Sequence, residues 1–406
     1  MKALKELYDR ARVSIVHSIS YENANGSHFR GRDVFFMGAD YDEYISSGWM
    51  GRFLDYEYPG YPDEYPTAEM QHPLALEFGS SMSLAFHRDN GIPVGLSIPG
   101  PQFFELPNDP QNFAPPAGIA DTHYGNELRY ILDIEAATDE YGDTLKELYA
   151  AGDAVKSGVT YPELYPFNAP RGSQRNNLAP QLQVVAKLLS GGCKTKIFMV
   201  RIGGFDTHAS QVEATDASMG SHAALLYHLT SAVQAFQDDL KARGLEDKVL
   251  TMTFSEFGRR PRSNASYGSD HGDAAPMFIF GKGVNPGVIG NVPNLSQLDN
   301  GNIEMQYDYR QVFASIVKDW FQADDGAIQA SRFGEWVDTR YADRGADSVQ
   351  GDDHEGEQDL VAEIRDLEDV LDVRQHWRMI PLVVGDRAGE APPRLSAEPD
   401  RRANGG

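Results

Sequence analysis

The sequence predicts an α/β fold built on parallel strands, and three stretches in the middle of the chain carry this prediction. Residues Lys196–Ile202 and Val249–Phe254 are short apolar runs bounded by polar residues, which is typical of buried strands. Between them lies a long amphipathic pattern with apolar side chains at helical spacing: Leu225, Leu229, Val233, Phe236 and Leu240. A strand, a helix and a strand in this order predict a right-handed βαβ unit with parallel strands.

The N-terminal part of the chain predicts fewer regular elements. The first residues form an amphipathic pattern that predicts a helix leading into a strand at Val13–Ile19. Residues Tyr41–Tyr65 are crowded with Tyr, Asp, Glu and Pro, and we expect an irregular surface segment there. Residues Pro66–Thr122 are dense in Pro and Gly, which predicts long loops with one or two short strands.

The remaining elements flank the βαβ unit. Helices are predicted over Asn126–Tyr149 and over Leu178–Leu189, the latter ending in a glycine C-cap at Gly191 and Gly192. A further strand is expected at Pro276–Gly281, followed by a helix from Val312 to Phe321 that is preceded by Asp308 and Arg310. We expect Asp308 and Arg310 to have structural roles, and the alternative is that they support the site residues.

The composition predicts a large folded core and excludes several kinds of partner. The chain has 406 residues, of which 41% are hydrophobic, which is enough for a sizeable core. Its 60 acidic and 36 basic residues give a net charge of −24, so we expect no nucleic-acid partner. No segment is apolar over the length needed to span a bilayer. The single cysteine, Cys193, excludes an intramolecular disulfide and is expected to pack as a small apolar residue.

Polar clusters follow both strands of the βαβ unit. The first strand is followed by Gly203 and Gly204 and then by Asp206 and His208. The second strand is followed by a cluster that begins at Ser255. Because the carboxyl ends of parallel strands meet at one edge of a sheet, we expect these clusters to converge. Carboxylate and imidazole groups are ligands of zinc, manganese and iron, so the pattern indicates a metal site. A simple Asx turn is the alternative for the Asp206 segment.

The second cluster begins with Ser255 and Glu256 and continues through Arg259. A predicted loop, broken by Pro, Asn and Gly, then delivers Asp270 and His271 to the same edge of the sheet. The candidate metal ligands are therefore the residues Asp206, His208, Glu256, Asp270 and His271.

A candidate nucleophile lies near the N-terminus of the chain. Ser27 follows Asn25 and Gly26, with His28 beside it, at a position where a helix is expected to begin. The field at a helix N-terminus favours anions and an ionised oxygen. The alternative is a serine that caps the helix and has no chemical role.

Several motifs resemble those of the bacterial domain-of-unknown-function 1501 family. In order along the chain they are SHFRGRD, GWMGRFLD, GGFDTHASQ, TFSEFGRRPRSN, GSDHGDAAPMFIFG and YDYRQVFASIVKDWF. The resemblance covers roughly Ala3–Phe333. The family is usually grouped with the alkaline phosphatase and sulfatase superfamily, so the resemblance implies a three-layer α/β/α fold with a mostly parallel central sheet.

The same resemblance implies a site and an activity. It suggests a di-metal centre holding zinc, manganese, iron or calcium, with the five candidate ligands around it and Ser27 as the nucleophile. The expected reaction is hydrolysis of a phosphate or sulfate ester of a small molecule or glycan. Arg259 would bind the oxygens of the ester group, or would belong to a solvated turn. A second interpretation is a non-catalytic binding or assembly protein on a hydrolase-like fold.

Two departures from the family pattern lead to further expectations. Family members usually begin with a signal, often of the twin-arginine type, and with a first strand that ends in Gly-Gly-x-Asp; this sequence contains neither. We therefore expect the first strand to be missing from the N-terminus. An upstream twin-arginine signal would make the protein periplasmic or exported, and otherwise we expect it in the cytoplasm. In addition, Glu256 and Phe257 stand where well-studied superfamily enzymes have Asp-His.

The sequence also predicts a boundary near residue 340. Residues 1–339 are expected to form the α/β domain, and residues 340–406 a charged tail. Within this tail Leu360, Ile364, Leu367 and Leu371 predict a short amphipathic helix, and Glu390–Gly406 is expected to be disordered.

Overall fold

The computed structural model describes residues 1–62, 64–89, 91–105, 122, 141–170 and 172–339, together with the backbone of residues 379–386. The described helices are α1 (Lys2–Asp9), α2 (His28–Met37), α3 (Trp49–Glu57), α4 (141–154), α5 (Ala179–Ser190), α6 (Ser221–Ala242), α7 (Tyr309–Ser315) and α8 (Asp325–Ala330). The described strands are β1 (Val13–Ser20), β2 (Ala75–Phe78), β3 (Gly95–Ile98), β4 (Ile197–Gly203), β5 (Val249–Thr253), β6 (Gly258–Ser263), β7 (Ser269–Gly272), β8 (Ala275–Phe280), β9 (Gly287–Ile289), β10 (Tyr307–Asp308) and β11 (Met379–Asp386).

A nine-stranded mixed sheet forms the centre of the described structure. Its order is β10-β1-β8-β5-β11-β4-β2-β3, with β9 also paired to β1. The strands β4, β2 and β3 form a parallel group, and β1 runs parallel to both β9 and β10. The strands β8 and β11 are antiparallel to their neighbours. The predicted α/β class with a βαβ unit is confirmed.

The sheet differs from the prediction in two respects. It is mixed rather than mostly parallel, because β8 and β11 run antiparallel to their neighbours. The strands β4 and β5 run in the same direction, as predicted, but they are not neighbours. The C-terminal strand β11 lies between them and is antiparallel to both, pairing Leu382 with Val200 on one side and with Thr253 on the other. This strand was not predicted, although residues 379–384 are a short apolar run, because the run was assigned to the charged tail and its partners lie far away along the chain.

Apolar side chains cover both faces of the sheet. On β4, Phe198 and Val200 point to one face and pack with residues of α1, α5 and α6. Ile197 and Met199 point to the opposite face and pack with residues of α2, α3 and α7. This alternation is the period of two that a strand covered on both faces requires.

Two segments have more regular structure than the sequence predicted. The expected loop between Glu256 and His271 contains the hairpin β6–β7, in which Gly258 pairs with Gly272 and Arg259 pairs with His271. The charged and Pro-containing sequence of β6 concealed this strand, because a two-stranded hairpin outside the core needs no apolar alternation. The segment expected to be irregular around Trp49 contains α3, and Trp49 is fully buried.

Helix α2 lies directly against the end of β5. A Cβ atom at Gly31 would lie 2.5 Å from the carbonyl oxygen of Glu256, so glycine allows this close approach. At the other end of the helix, the hydroxyl of Tyr309 lies 3.0 Å from the carbonyl oxygen of Val34 and 2.9 Å from that of Ala39, and it can donate a hydrogen bond to either. This contact fixes the C-terminal end of α2. The first turn of α2 is thereby held at the carboxyl edge of the sheet.

Some predictions lie outside the described residues. The first part of the helix predicted over Asn126–Tyr149, the short helix predicted around Leu360–Leu371 and the terminal segment Glu390–Gly406 belong to this group. In the part of the chain that the structure describes, no helix has the length and apolar character needed to cross a membrane.

Candidate metal centre

Four elements bring the candidate site residues together at the carboxyl edge of the sheet. Asp206 and His208 follow β4, and Glu256 follows β5. Strand β7 carries His271, and α2 begins with His28. Such an edge is where ligands bind in open α/β sheets, because loops from several strands converge there.

Asp206 is the centre of the cluster. Its Oδ1 atom lies 2.7 Å from Nη1 of Arg259 and 3.0 Å from Nε2 of both His208 and His271. Its Oδ2 atom lies 3.2 Å from Nε2 of His28. Burial alone would raise the pKa of Asp206, but hydrogen bonds from Arg259 and His271 outweigh it and lower the pKa to about 2. The group is therefore a carboxylate at any ordinary pH.

In each of the three histidines, Nε2 faces Asp206 and Nδ1 contacts a different oxygen. Nδ1 of His28 lies 2.7 Å from Oε1 of Glu256, and Nδ1 of His271 lies 2.8 Å from the carbonyl oxygen of Gly26. Nδ1 of His208 lies 3.4 Å from Oδ1 of Asp270. The Nδ1 contacts of His28 and His271 are shorter than the contacts of their Nε2 atoms with Asp206, so with a cation bound at Nε2 the proton of each of these two rings would lie on Nδ1.

In that state the Nε2 lone pairs of His28 and His271 would be directed at an anion. In the neutral rings Nε2 of His28 and Nε2 of His271 face the two oxygens of Asp206, and Nε2 of His208 lies 2.9 Å from Nε2 of His271. Burial lowers the pKa of His271, which favours its neutral form. Lone pairs that face one another repel, so a cation among them would stabilise this arrangement.

The donor set fits a divalent metal ion. One ligand atom from each of His28, Asp206 and His271 lies within 4.8 Å of the others. Imidazole nitrogen and carboxylate oxygen together suit zinc, manganese and iron. His208 and Asp270 lie nearer to solvent, with side chains that are 47% and 61% exposed, so the cluster has an open side.

The hairpin β6–β7 holds the exposed members of the cluster. The side-chain amide of Asn264 donates to the carbonyl oxygen of His208 at 2.9 Å and to Oδ1 of Asp270 at 3.3 Å. The hydrogen bond from Asn264 and the neighbouring His208 lower the pKa of Asp270. A Cβ atom at Gly268 would lie 2.2 Å from the carbonyl oxygen of His208, so the hairpin packs tightly on this loop.

Four of the five predicted ligands, Asp206 among them, lie in one cluster, and the fifth, Glu256, lies beside it. Asp206, His208, Asp270 and His271 are linked by the contacts above. The carboxylate of Glu256 is directed at His28 and at the hydroxyl of Ser255 instead. The sequence analysis did not include His28 among the ligands, although its position at a helix start beside Ser27 was a usable signal.

The two predicted catalytic residues have different surroundings. Ser27 is exposed and caps α2, where its hydroxyl accepts a 3.5 Å hydrogen bond from the backbone of Arg30. The side chain of Arg259 is 0% exposed. Its guanidinium donates to Asp206 and to the carbonyl oxygen of Ser269, and burial lowers its pKa.

Comparison with known proteins gives one match. Neither the curated proteins nor the solved structures that were compared contain a match to the chain. Residues 176–329 match the model of the family described as Protein of unknown function (DUF1501). This segment includes Asp206, Glu256, Arg259 and His271, whereas Ser27 and His28 precede it. The match supports, for this part of the chain, the DUF1501 family that the sequence motifs resemble.

Proposed function

We propose that this protein is a metal-dependent hydrolase of phosphate or sulfate esters. The observation that carries the proposal is the convergence of three Nε2 atoms on the carboxylate of Asp206, with each Nδ1 atom next to another acceptor. The proposal includes the three-layer fold and the alkaline phosphatase and sulfatase superfamily, to which the motif resemblance points. In that superfamily a metal centre and a serine or threonine nucleophile act together.

The chain offers ligands for two cations. His28, His271 and Asp206 would hold the first, because they form the compact group. His208 and Asp270 would contribute to a second, at the exposed side of the cluster. Bound divalent cations would neutralise the ester's negative charge and lower the pKa of an attacking hydroxyl or water. Zinc, manganese or iron suits these ligands better than calcium does.

Ser27 is the proposed nucleophile. Its exposed hydroxyl lies at the N-terminus of α2, one residue before His28, where the helix dipole favours negative charge. The backbone of Ser27 is fixed by a 2.8 Å hydrogen bond from its amide to Oδ1 of Asn25. A serine in this position can attack a bound ester while the helix N-terminus stabilises the developing oxyanion.

Arg259 has a positioning role in this proposal. A fully buried guanidinium with two protein acceptors is not placed to bind substrate. Its positive charge instead keeps Asp206 ionised and correctly oriented. This replaces the role in substrate binding that the sequence motif suggested.

The proposal is tested by hydrolysis assays with aryl phosphate and aryl sulfate esters. The purified chain is loaded separately with zinc, manganese and iron, and the Ser27→Ala and Asp206→Ala variants are assayed in parallel. We expect turnover of at least one ester class and its loss in both variants. Metal-loaded protein that hydrolyses neither class would contradict the proposed activity. The Ser81→Ala variant changes a serine outside the cluster and is the matched control.

A further inference from the structure

Glu256 has both of its carboxylate oxygens occupied by groups of the protein. Oε1 lies 2.7 Å from Nδ1 of His28, and Oε2 accepts a hydrogen bond of 2.8 Å from the hydroxyl of Ser255. The side chain is only 7% exposed. These two contacts use two of the about four acceptor sites of the carboxylate and direct its oxygens at His28 and Ser255.

His28 is held in one orientation by its surroundings. Its ring packs against Phe257, with centroids 4.8 Å apart, and meets the ring of His271 edge-on at 4.5 Å. With Nδ1 directed at Glu256, the other ring nitrogen is directed at Asp206, at 3.2 Å from Oδ2. The imidazole therefore lies between two carboxylates that have different roles.

We infer that Glu256 is a positioning residue that acts through His28, and that His28 is the metal ligand at this corner of the site. This inference rests on the proposed metal-dependent function. Glu256 accepts the Nδ1 proton of His28, which fixes the tautomer whose Nε2 lone pair faces the cation. The carbonyl of Gly26 does the same for His271. Such outer partners orient metal-bound imidazoles and raise their basicity.

A substitution series separates a positioning role from direct coordination. Glu256→Gln keeps an oxygen that can accept the Nδ1 proton but removes the negative charge that a metal ligand would supply. Glu256→Leu removes the acceptor as well. His28→Ala removes the inferred ligand. Asp299→Asn, at an exposed aspartate, is the control for loss of one negative charge.

Co²⁺ is the probe, because its visible absorption reports the number and kind of its ligands. We expect Glu256→Gln to retain the wild-type Co²⁺ spectrum and Glu256→Leu to lower Co²⁺ affinity about 10- to 100-fold. His28→Ala should change the spectrum itself. A spectrum that changes in Glu256→Gln and is unchanged in His28→Ala would overturn the inference, since Glu256 would then be the ligand.

A second measurement does not depend on metal binding. Nitrogen-15 NMR of the histidine rings, on protein treated with a chelator, identifies the tautomer of His28. We expect the Nδ1-protonated tautomer in the wild type and in Glu256→Gln, and a mixture of tautomers in Glu256→Leu. The Nε2-protonated tautomer in the wild type, or the doubly protonated ring at neutral pH, would overturn the inference. Failure of the intact chain to bind Co²⁺ would instead contradict the proposed function.

Discussion

The buried guanidinium of Arg259 forms an ion pair with the partly exposed carboxylate of Asp206, with Nη1 and Oδ1 2.7 Å apart. The same Oδ1 atom faces Nε2 of His208 and of His271, so one carboxylate oxygen contacts both the guanidinium and two imidazoles. A cation that binds the imidazoles therefore meets a carboxylate whose charge and orientation are already fixed.

The first prediction concerns this pair. Arg259→Gln removes the charge that holds Asp206, so we expect metal affinity to fall about 10- to 100-fold. The change also leaves buried groups without their partner, which should lower the free energy of unfolding by about 1–3 kcal/mol. Chelator competition and chemical denaturation measure the two effects. Arg260→Gln, at the exposed neighbouring position on β6, should change neither quantity.

The second prediction concerns the contact between α2 and β5. A Cβ atom at Gly31 would lie 2.5 Å from the carbonyl oxygen of Glu256. Gly31→Ala should therefore push α2 away from the sheet, lower the free energy of unfolding by about 1–3 kcal/mol and weaken metal binding by displacing His28. Gly79→Ala is the control, because its nearest neighbour would be an ordinary 3.7 Å contact. Equal stability of the two variants, measured by denaturation, would refute the close packing.

The third prediction concerns the dependence of stability on pH. Burial, and then the charge of Arg259, lower the pKa of His222 from 6.5 to about 3. Below pH 6.5 the unfolded chain binds a proton at His222 that the folded chain does not bind. The contribution of neutral His222 to the free energy of unfolding should therefore be complete above pH 6.5. It should decrease as the pH falls towards 3, by up to about 1.4 kcal/mol per pH unit.

The His222→Gln variant tests this assignment. It should show a flatter decline of the unfolding free energy between pH 6.5 and pH 4 than the wild type. Denaturant titrations at a series of pH values measure the difference. Parallel curves for the two proteins would mean that His222 does not contribute to acid sensitivity.

The fourth prediction concerns β11. This strand forms backbone ladders with β4 and β5, the two strands that lead to Asp206 and Glu256. Truncation after Arg378 removes the strand and leaves two buried strand edges unpaired, at about 1–3 kcal/mol for each buried group without a partner. We expect a large loss of stability, measured by thermal unfolding. Truncation after Asp386 retains the strand and should be close to wild type; similar effects of the two truncations would contradict the pairing.

The sequence predicted the core of the fold because the core obeys local rules. Strand β4 and helix α6 carry apolar residues at the spacing that each element requires, and each was predicted close to its observed bounds. Strand β11 was missed although residues 379–384 are an apolar run, since the run lies within the charged tail and no local pattern indicates its pairing with strands far away along the chain. Hairpin β6–β7 was missed because its residues, Gly258–Ser263 among them, are mostly polar and do not contribute to the core.

The same distinction applies to the site. Asp206 could be predicted because it follows a strand whose carboxyl end lies at the edge where such strands converge. His271 was predicted to reach the same edge on a loop, and the structure places it on β7. The position of His28 depends on how closely α2 packs against β5, which is a property of tertiary packing at Gly31. The burial of Arg259 likewise depends on tertiary packing, whereas the sequence alone suggested an arginine that binds the ester oxygens or belongs to a solvated turn.

Metal content is the most direct measurement of the central claim. Elemental mass spectrometry would be applied to the purified chain, refolded with each candidate metal, and to the Asp206→Ala, His271→Ala double variant. The Asp238→Ala, His87→Ala variant, which changes the same residue types outside the cluster, is the control. We predict near-stoichiometric zinc, manganese or iron in the wild type and control, and its loss from the double variant. A wild-type chain that retains none of these metals would contradict the account.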